Sequence, residues 1–180
     1  MTHAHRPHLI AIGGLSGSGK STLARALAAE RKAFLLRSDV ERKTLVGVAE
    51  TDRLSADAYT SEVTAVVYQR LCDLSSAALC EQVDVIVDAV FQRPRERCAI
   101  EAVAVAANVM FVGLWLDANL AVRRCRVAAR TGDASDATPA IVNQQALRDT
   151  GPILWHKVST SGSPDEALRA ARAIIGEALR

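Results

Sequence analysis

Residues 14–21 have the types and the spacing that bind phosphate, because they read Gly-x-x-x-x-Gly-Lys-Ser. The glycines let the backbone turn with positive φ and come close to a ligand, so successive N–H groups can form a concave nest for phosphate oxygens. Lys20 adds a positive charge for the β- and γ-phosphates, and the Ser21 hydroxyl is placed to ligate Mg²⁺. A glycine-rich turn that binds nothing would not need this Lys-Ser pair. The pattern predicts a nucleoside triphosphate site formed by Gly14, Ser16, Gly17, Ser18, Gly19, Lys20, Ser21 and Thr22.

A carboxylate and a guanidinium follow the second apolar run of the chain. Asp39 and Arg42 are three residues apart, so they share one face of the helix predicted there. The Asp39 carboxylate could accept the proton of a hydroxyl that attacks the γ-phosphate, and Arg42 could hold the acceptor or a phosphate oxygen. The alternative is a helix N-cap followed by a solvated arginine.

A further acidic residue, Asp88, ends the apolar run 85–87. An aspartate that ends a strand beside a phosphate loop holds Mg²⁺ directly or through water. Orienting Lys20 or the acceptor, or capping a turn, are the alternatives. The sequence therefore predicts Ser21 and Asp88 as the residues that hold the metal.

Arginines cluster on a later predicted helix. Arg123, Arg126 and Arg130 recur at steps of three and four and share one face, whereas Arg124 points elsewhere. Arginine supplied from the same chain can stabilise the charge that spreads over the γ-oxygens during phosphoryl transfer. The alternative is an exposed basic face on an arginine-rich protein.

Alternating strands and helices are expected to position these residues. Apolar runs predict five strands, and periods of three and four predict the helices between them. This alternation is typical of an α/β fold with a parallel sheet covered on both faces. The strands are predicted at 9–12, 33–38, 83–90, 109–116 and 153–159, and the helices at 21–30, 39–47, 56–82, 94–107, 118–130, 140–148 and 164–179. We expect Asp117 to cap the helix at 118–130.

Residues 1–180 are predicted to form one domain, with a mobile tail at 1–7 and a lid at about 118–148. The net charge of +2 disfavours nucleic acid as a partner without excluding it. The four scattered cysteines fit a reducing compartment, no secretory signal is visible, and the apolar stretch 99–116 is interrupted by polar residues. We therefore expect a cytoplasmic protein that does not enter a membrane.

These motifs resemble those of the small P-loop kinases, the superfamily of the nucleoside monophosphate, shikimate and gluconate kinases. The sequence is more similar still to an uncharacterised group of predicted ATP-binding kinase domains, often fused to aminoglycoside-phosphotransferase-like domains. The resemblance covers nearly the whole chain, and its motifs lie at 14–22, 36–43, 85–91, 126–130 and 132–137.

The resemblance implies a P-loop NTPase three-layer sandwich with sheet order 2-3-1-4-5 and a helical lid. It implies ATP with Mg²⁺, an acceptor near Asp39, and a lid that closes over the phosphates with Arg126 and Arg130. It places the adenine between the base of the lid and the loop near Thr160. A separate phosphotransferase-like protein is a partner that this resemblance suggests.

The sequence thus predicts a P-loop phosphotransferase, an ATP-dependent kinase that acts on a hydroxyl of a small-molecule acceptor. Lys20, Asp39, Arg42, Arg126 and Arg130 are its predicted catalytic residues. A 5′-hydroxyl polynucleotide kinase-like enzyme is one alternative, since Asp39 and Arg42 are similarly spaced there, although Ala-Val-Phe after Asp88 departs from that family. An ATP-binding sensor module without turnover is the other, but a sensor does not need a base.

Overall fold

The computed structural model describes residues 6–130 and 132–180. Residues 1–5 of the predicted tail and Thr131 of the predicted lid lie outside the described residues. The strands are β1 (His8–Gly13), β2 (Phe34–Arg37), β3 (Val85–Asp88), β4 (Met110–Asp117) and β5 (His156–Ser159). The helices are α1 (Lys20–Arg31), α2 (Ser38–Val46), α3 (Ser61–Cys80), α4 (Pro94–Ala107), α5 (Leu120–Ala128), α6 (Pro139–Ala146) and α7 (Pro164–Ala178). In the described part of the chain, no helix combines the length and the apolar character needed to cross a membrane.

The strands form one parallel sheet in the order β2-β3-β1-β4-β5, which confirms the predicted order. Each helical crossover brings the chain back to the edge of the sheet where the strands begin, so all strands run in the same direction. The carboxyl ends of the strands therefore lie together at the opposite edge. The register pairs Arg37 with Asp88 and Asp88 with Ile12. The ends of β2 and β3 therefore lie beside the loop that follows β1.

Helices cover both faces of the sheet, as the predicted three-layer sandwich requires. On one face, Ile10 and Ile12 of β1 pack in a cluster with side chains of α1 and α7. On the other face, Leu9 and Ala11 pack with side chains of α3 and α4. All four side chains are fully buried, which explains why β1 is apolar throughout and not alternating.

The structure differs from the predicted elements at three places. The predicted helix at 56–82 is interrupted: Ala56–Tyr59 form a 3₁₀ turn, and the Thr60 hydroxyl then caps α3 by accepting from the Val63 N–H at 3.3 Å. Asn119 and not Asp117 caps α5, because the Asn119 side chain accepts from the Val122 N–H at 2.9 Å.

The third difference is that β5 begins three residues later than predicted, at His156. The ring of Trp155 packs directly over Gly113 of β4, where a Cβ would lie 2.5 Å from the indole. Its indole N–H donates to Glu101 at 2.6 Å. Trp155 is therefore fixed by the packing of its side chain, and the ladder with β4 starts only after it.

Candidate active site

The phosphate loop connects β1 to α1 and depends on glycine for its close packing. Gly14 and Gly17 have φ values of 138° and 80°, which side chains rarely allow. A Cβ at either position would lie 2.5 Å from a backbone oxygen, that of Leu116 or of Arg123. Gly19 precedes α1 as its N-cap without any side-chain cap, so the first N–H groups of the helix are left for a ligand.

Lys20, the first residue of α1, projects back over this loop. Its Nζ donates to the Leu15 carbonyl at 3.3 Å. Burial lowers the pKa of its ammonium group, and the nearby carboxylates of Asp88 and Asp39 oppose this shift. Lys20 thus lies between the loop and two acidic side chains.

Asp39 and Asp88 come from the ends of neighbouring strands, as the sequence predicted. Asp39 lies in the first turn of α2, whose N-cap is Arg37, so Asp39 is not the helix cap. Burial raises the pKa of the Asp39 carboxyl, and the negative charge of Asp88 raises it further. Lys20, a hydrogen bond with Ser135 and Arg37 oppose that rise. A carboxylate with a raised pKa is a stronger proton acceptor, which suits a general base.

Arg37 is a central residue of the site that sequence reasoning missed. Its guanidinium is 6% exposed and donates to three carboxylates: Asp88 at 3.3 Å, Asp133 at 2.7 Å and Glu50 at 3.0 Å. It therefore holds one oxygen of Asp88 in place. The available signal was a charged residue at the end of an apolar strand, within two positions of Asp39.

The segment between α5 and α6 crosses the site and is tied down by its acidic residues. Asp133 accepts from Arg25 at 3.2 Å in addition to Arg37, and pairs with Arg130 at 3.7 Å. Asp136 accepts from the Tyr59 hydroxyl at 2.7 Å and from the Leu54 N–H and Lys43 at 3.1 Å and 3.4 Å. The residues of this segment were part of the family resemblance, but their sequence did not reveal these contacts.

The predicted lid arginines divide into two groups. Arg126 and Arg130 line the cavity of the site. Arg126 donates to the Gly162 carbonyl at 3.2 Å, in the loop after β5, and its guanidinium lies over Gly19. Arg123 packs under the loop, where its backbone contacts Gly17 and one buried side-chain nitrogen has no partner among the described residues.

Arg42 and Thr160 are two further predicted residues that the structure places at the site. The Arg42 guanidinium is buried, donates to the Ala58 carbonyl at 2.6 Å and lies 4.8 Å over the Tyr59 ring. Thr160 follows β5 and is bound to the Asp117 carbonyl through both its N–H and its hydroxyl. Both residues line the same cavity as the phosphate loop.

This cavity has a volume of about 1100 Å³. It brings together the predicted loop residues Ser16 to Thr22, Asp39, Arg42, Asp88, Arg126, Arg130 and Thr160. Gly14 lies at the base of the loop, where its N–H donates to the Val90 carbonyl. The Ser18 hydroxyl is buried without a hydrogen-bond partner among the described residues. The volume suits a nucleotide together with a second small ligand.

The donor set also fits Mg²⁺. Ser21, Asp39 and Asp88 supply hard oxygen atoms around the cavity, and Asp88 binds Arg37 through Oδ2. In the described ranges, no three His, Cys, Asp or Glu side chains form a group that could hold a metal ion. The ion would therefore need phosphate oxygens and water to complete its coordination, as Mg²⁺ does when it is bound with a nucleotide.

Comparison with known protein families shows which family the chain belongs to. A family model described as an AAA domain, AAA_33, matches residues 9–151. The chain therefore belongs to this P-loop family. The matched region begins in β1 and includes the phosphate loop, Asp39, Asp88 and both lid helices.

Solved structures with the same fold include several kinases. A sugar kinase from Janibacter sp. HTCC2649 has a TM-score of 0.66 at 17% identity, and 94% of each chain is covered. A gluconokinase from Sinorhizobium meliloti 1021 has a TM-score of 0.63 at 21% identity, with 96% of this chain and 94% of that chain covered. A Mycobacterium tuberculosis APS kinase, solved with AMPPNP and APS, has a TM-score of 0.69 at 18% identity, with 95% and 98% covered. These similarities confirm the predicted small P-loop kinase fold.

Curated relatives are longer than this chain. Uncharacterised proteins of Mycobacterium tuberculosis and Mycobacterium bovis are 29% identical over 175 residues. The match covers 95% of this chain but only 35% of those proteins, so the chain spans about a third of their length. The fusion to a phosphotransferase-like domain stays a prediction.

Proposed function

We propose that the protein is a kinase that transfers the γ-phosphoryl group of ATP to a hydroxyl of a small-molecule acceptor. The observation that carries this proposal is the position of Asp39. Its carboxyl lines one cavity with Lys20 and the phosphate loop, and its pKa is raised. A nucleotide-binding site alone would need the loop and Lys20 but no such proton acceptor.

The donor half of the cavity consists of the phosphate loop, the start of α1 and the lid arginines. Loop N–H groups and the Lys20 ammonium bind the β- and γ-phosphates. Arg126 and Arg130 neutralise charge that spreads over the transferring group. The family resemblance places the adenine near Thr160, which lies two positions before the Gly162 carbonyl to which Arg126 donates. Ser21 and Asp88 would hold Mg²⁺, which neutralises phosphate charge during transfer.

The acceptor half begins at Asp39. Asp39 takes the proton from the acceptor hydroxyl while the hydroxyl oxygen bonds to the γ-phosphorus. The bond between that phosphorus and the β–γ bridging oxygen breaks, and ADP leaves. Arg42 lies one helical turn further along α2, and we assign it to orienting the acceptor.

Polar side chains line the cavity beyond Asp39, which supports a polar acceptor that carries hydroxyl groups. They are Tyr59, Ser61, Thr64, Tyr68 and Gln92. The fold neighbours include kinases named for a sugar and for gluconate, both of which are alcohols. This agreement supports an alcohol as acceptor.

The test is Mg²⁺-dependent ATP consumption with a panel of sugars, antibiotics, nucleosides and 5′-hydroxyl oligonucleotides. Lys20→Ala serves as the blank, and Asp39→Asn should bind ATP but transfer no phosphoryl group. Strong stimulation by one class of small alcohol supports the proposal and identifies the acceptor type. Stimulation by oligonucleotides alone would favour a polynucleotide kinase, and ATP binding that no acceptor stimulates would favour a sensor.

A further inference from the structure

One peptide group of the phosphate loop is bound from both of its sides. The Leu15 carbonyl accepts from Lys20 Nζ at 3.3 Å, and the Ser16 N–H donates to Gln145 Oε1 at 2.8 Å. These two groups belong to the same planar peptide unit and point in opposite directions. The Ser18 N–H also donates to the Leu15 carbonyl at 3.1 Å. The backbone of Ser18, the ammonium of Lys20 and the carboxamide of Gln145 therefore fix the orientation of this unit together.

Gln145 reaches the loop from the lid. It lies on α6, whose N-terminus is capped by Thr138 and whose Val142 side chain is fully buried. Val142 and Gln145 are three residues apart and lie on one face of the helix. The packing of Val142 therefore sets where the Gln145 carboxamide meets the loop.

The Gln145 carboxamide can still donate hydrogen bonds after its oxygen has accepted one from Ser16. A glutamine side chain offers one acceptor oxygen and two N–H donors. With its oxygen on the Ser16 N–H, Gln145 still has its NH₂ group, for which no hydrogen bond is seen within residues 6–130 and 132–180. Gln145 lines the same cavity as Lys20, Arg126 and Arg130. Its free donors thus stand beside the loop, among the cationic groups expected to surround the phosphates.

We propose that Gln145 is a nucleotide-binding residue: its oxygen holds the Ser16 N–H while its NH₂ group donates to an oxygen of the bound triphosphate. This inference rests on the proposed function, because it assumes that the cavity binds ATP. In this arrangement Gln145 joins the lid helix α6 both to the phosphate loop and to the bound phosphates. Sequence reasoning missed this residue, since 129 positions separate it from Ser16.

Three variants separate the two halves of the carboxamide. Gln145→Ala removes both the acceptor and the donors. Gln145→Glu keeps an oxygen for the Ser16 N–H but replaces the donors with a second, negatively charged oxygen. Asn143→Ala changes an exposed residue of the same helix that does not line the cavity, and it serves as the control.

Two measurements apply to each variant: hydrogen exchange of the Ser16 amide by NMR without nucleotide, and the Kd for ATP by calorimetry. We expect Gln145→Ala to speed hydrogen exchange of the Ser16 amide by about fivefold and to raise the Kd for ATP by about tenfold to a hundredfold. Gln145→Glu should keep the slow exchange of the Ser16 amide and raise the Kd for ATP at least as much as Gln145→Ala does. Asn143→Ala should change neither quantity.

Wild-type affinity for ATP in Gln145→Glu would overturn the nucleotide contact, and unchanged Ser16 exchange in Gln145→Ala would overturn the loop contact. An unaltered chain that does not bind ATP would overturn the proposed function together with the contact. ATP binding that is indifferent to residue 145 overturns only the inference. Thermal unfolding followed by circular dichroism confirms that each variant is folded before either measurement is made.

Discussion

Arg37 and Asp88 end neighbouring parallel strands in register, and the Arg37 Nε lies 3.3 Å from Asp88 Oδ2. Both side chains are buried, with 6% and 4% of their surfaces exposed. The same guanidinium binds Asp133 of the segment between the lid helices. A single cation therefore joins the residue predicted to hold Mg²⁺ to the segment that covers the site.

Replacing Arg37 by methionine should destabilise the fold. The change leaves the buried Asp88 carboxylate without its guanidinium and Asp133 without the shortest of its ion pairs. Breaking a buried ion pair from one side costs about 3–5 kcal/mol, and we expect a loss in the lower part of this range because Asp133 keeps Arg25. Urea unfolding measures the change. Arg172→Met, which breaks the exposed pair with Glu30, is the control and should change the free energy of unfolding little; equal effects of the two variants would contradict the assignment.

The pH dependence of transfer should report Asp39. The base acts in its ionised form, so kcat/KM rises as pH rises through the pKa of Asp39. Burial and the charge of Asp88 raise this pKa. The rise of kcat/KM with pH, the acid limb of the pH profile, should therefore lie above the usual aspartate range. Ser135→Ala removes a hydrogen bond that lowers the pKa, and should move the limb to higher pH. A limb that stays in place or moves down would contradict the contact between Ser135 and Asp39.

Asp39 should also lower the stability of the fold at neutral pH. Its pKa is higher in the folded chain than in the unfolded chain, so the folded state binds the proton more tightly. The resulting stabilisation is present at pH values below the unfolded pKa and is lost as pH rises through the folded pKa. Asp39→Asn should therefore raise the Tm at neutral pH, with a difference that shrinks in acid. An unchanged or lower Tm at neutral pH would contradict the cost assigned to the buried charge.

Local patterns were sufficient to predict the strands and the phosphate loop. Apolar runs gave the strands, while glycine spacing and the Lys20-Ser21 pair gave the loop, because each depends on residues adjacent in sequence. Asp39 follows β2 in the first turn of α2 and Asp88 ends β3, and the sheet order that brings them together was predicted from the family resemblance. Prediction therefore succeeded where local patterns or that resemblance determined which residues lie close together.

The contacts that complete the site were not predictable from single segments. Arg37 meets Asp133 across 96 positions, and Ser16 meets Gln145 across 129. Such contacts depend on how the lid packs, which no local period encodes. The start of β5 was missed for the same reason, since the fit of Trp155 over Gly113 determines it.

Gly17 should be far less tolerant of alanine than Gly47, although both have a φ of 80°. At Gly47 an added Cβ meets nothing within 4 Å, so Gly47→Ala should cost only the left-handed strain of about 1–2 kcal/mol. At Gly17 the Cβ would lie 2.5 Å from the Arg123 carbonyl oxygen, so the loop must shift. Gly17→Ala should lose more stability than Gly47→Ala and should also lose ATP affinity. Urea unfolding and calorimetry measure both; equal unfolding costs with normal ATP binding would show that the loop yields without strain.

Arg126 and Arg124 on α5 provide a test of the lid. Arg126 lines the cavity and lies over Gly19, whereas Arg124 lies outside that cavity. If Arg126 stabilises the transferring phosphoryl group, Arg126→Ala should lower kcat by about a hundredfold or more, as removing one transition-state donor does. Its effect on the KM for ATP should be smaller, because a contact that strengthens in the transition state acts mainly on kcat. Arg124→Ala removes the same charge from the same helix and should leave both constants unchanged. Equal losses from the two variants would mean that Arg126 acts through the general charge of α5 and not through contact with the phosphates.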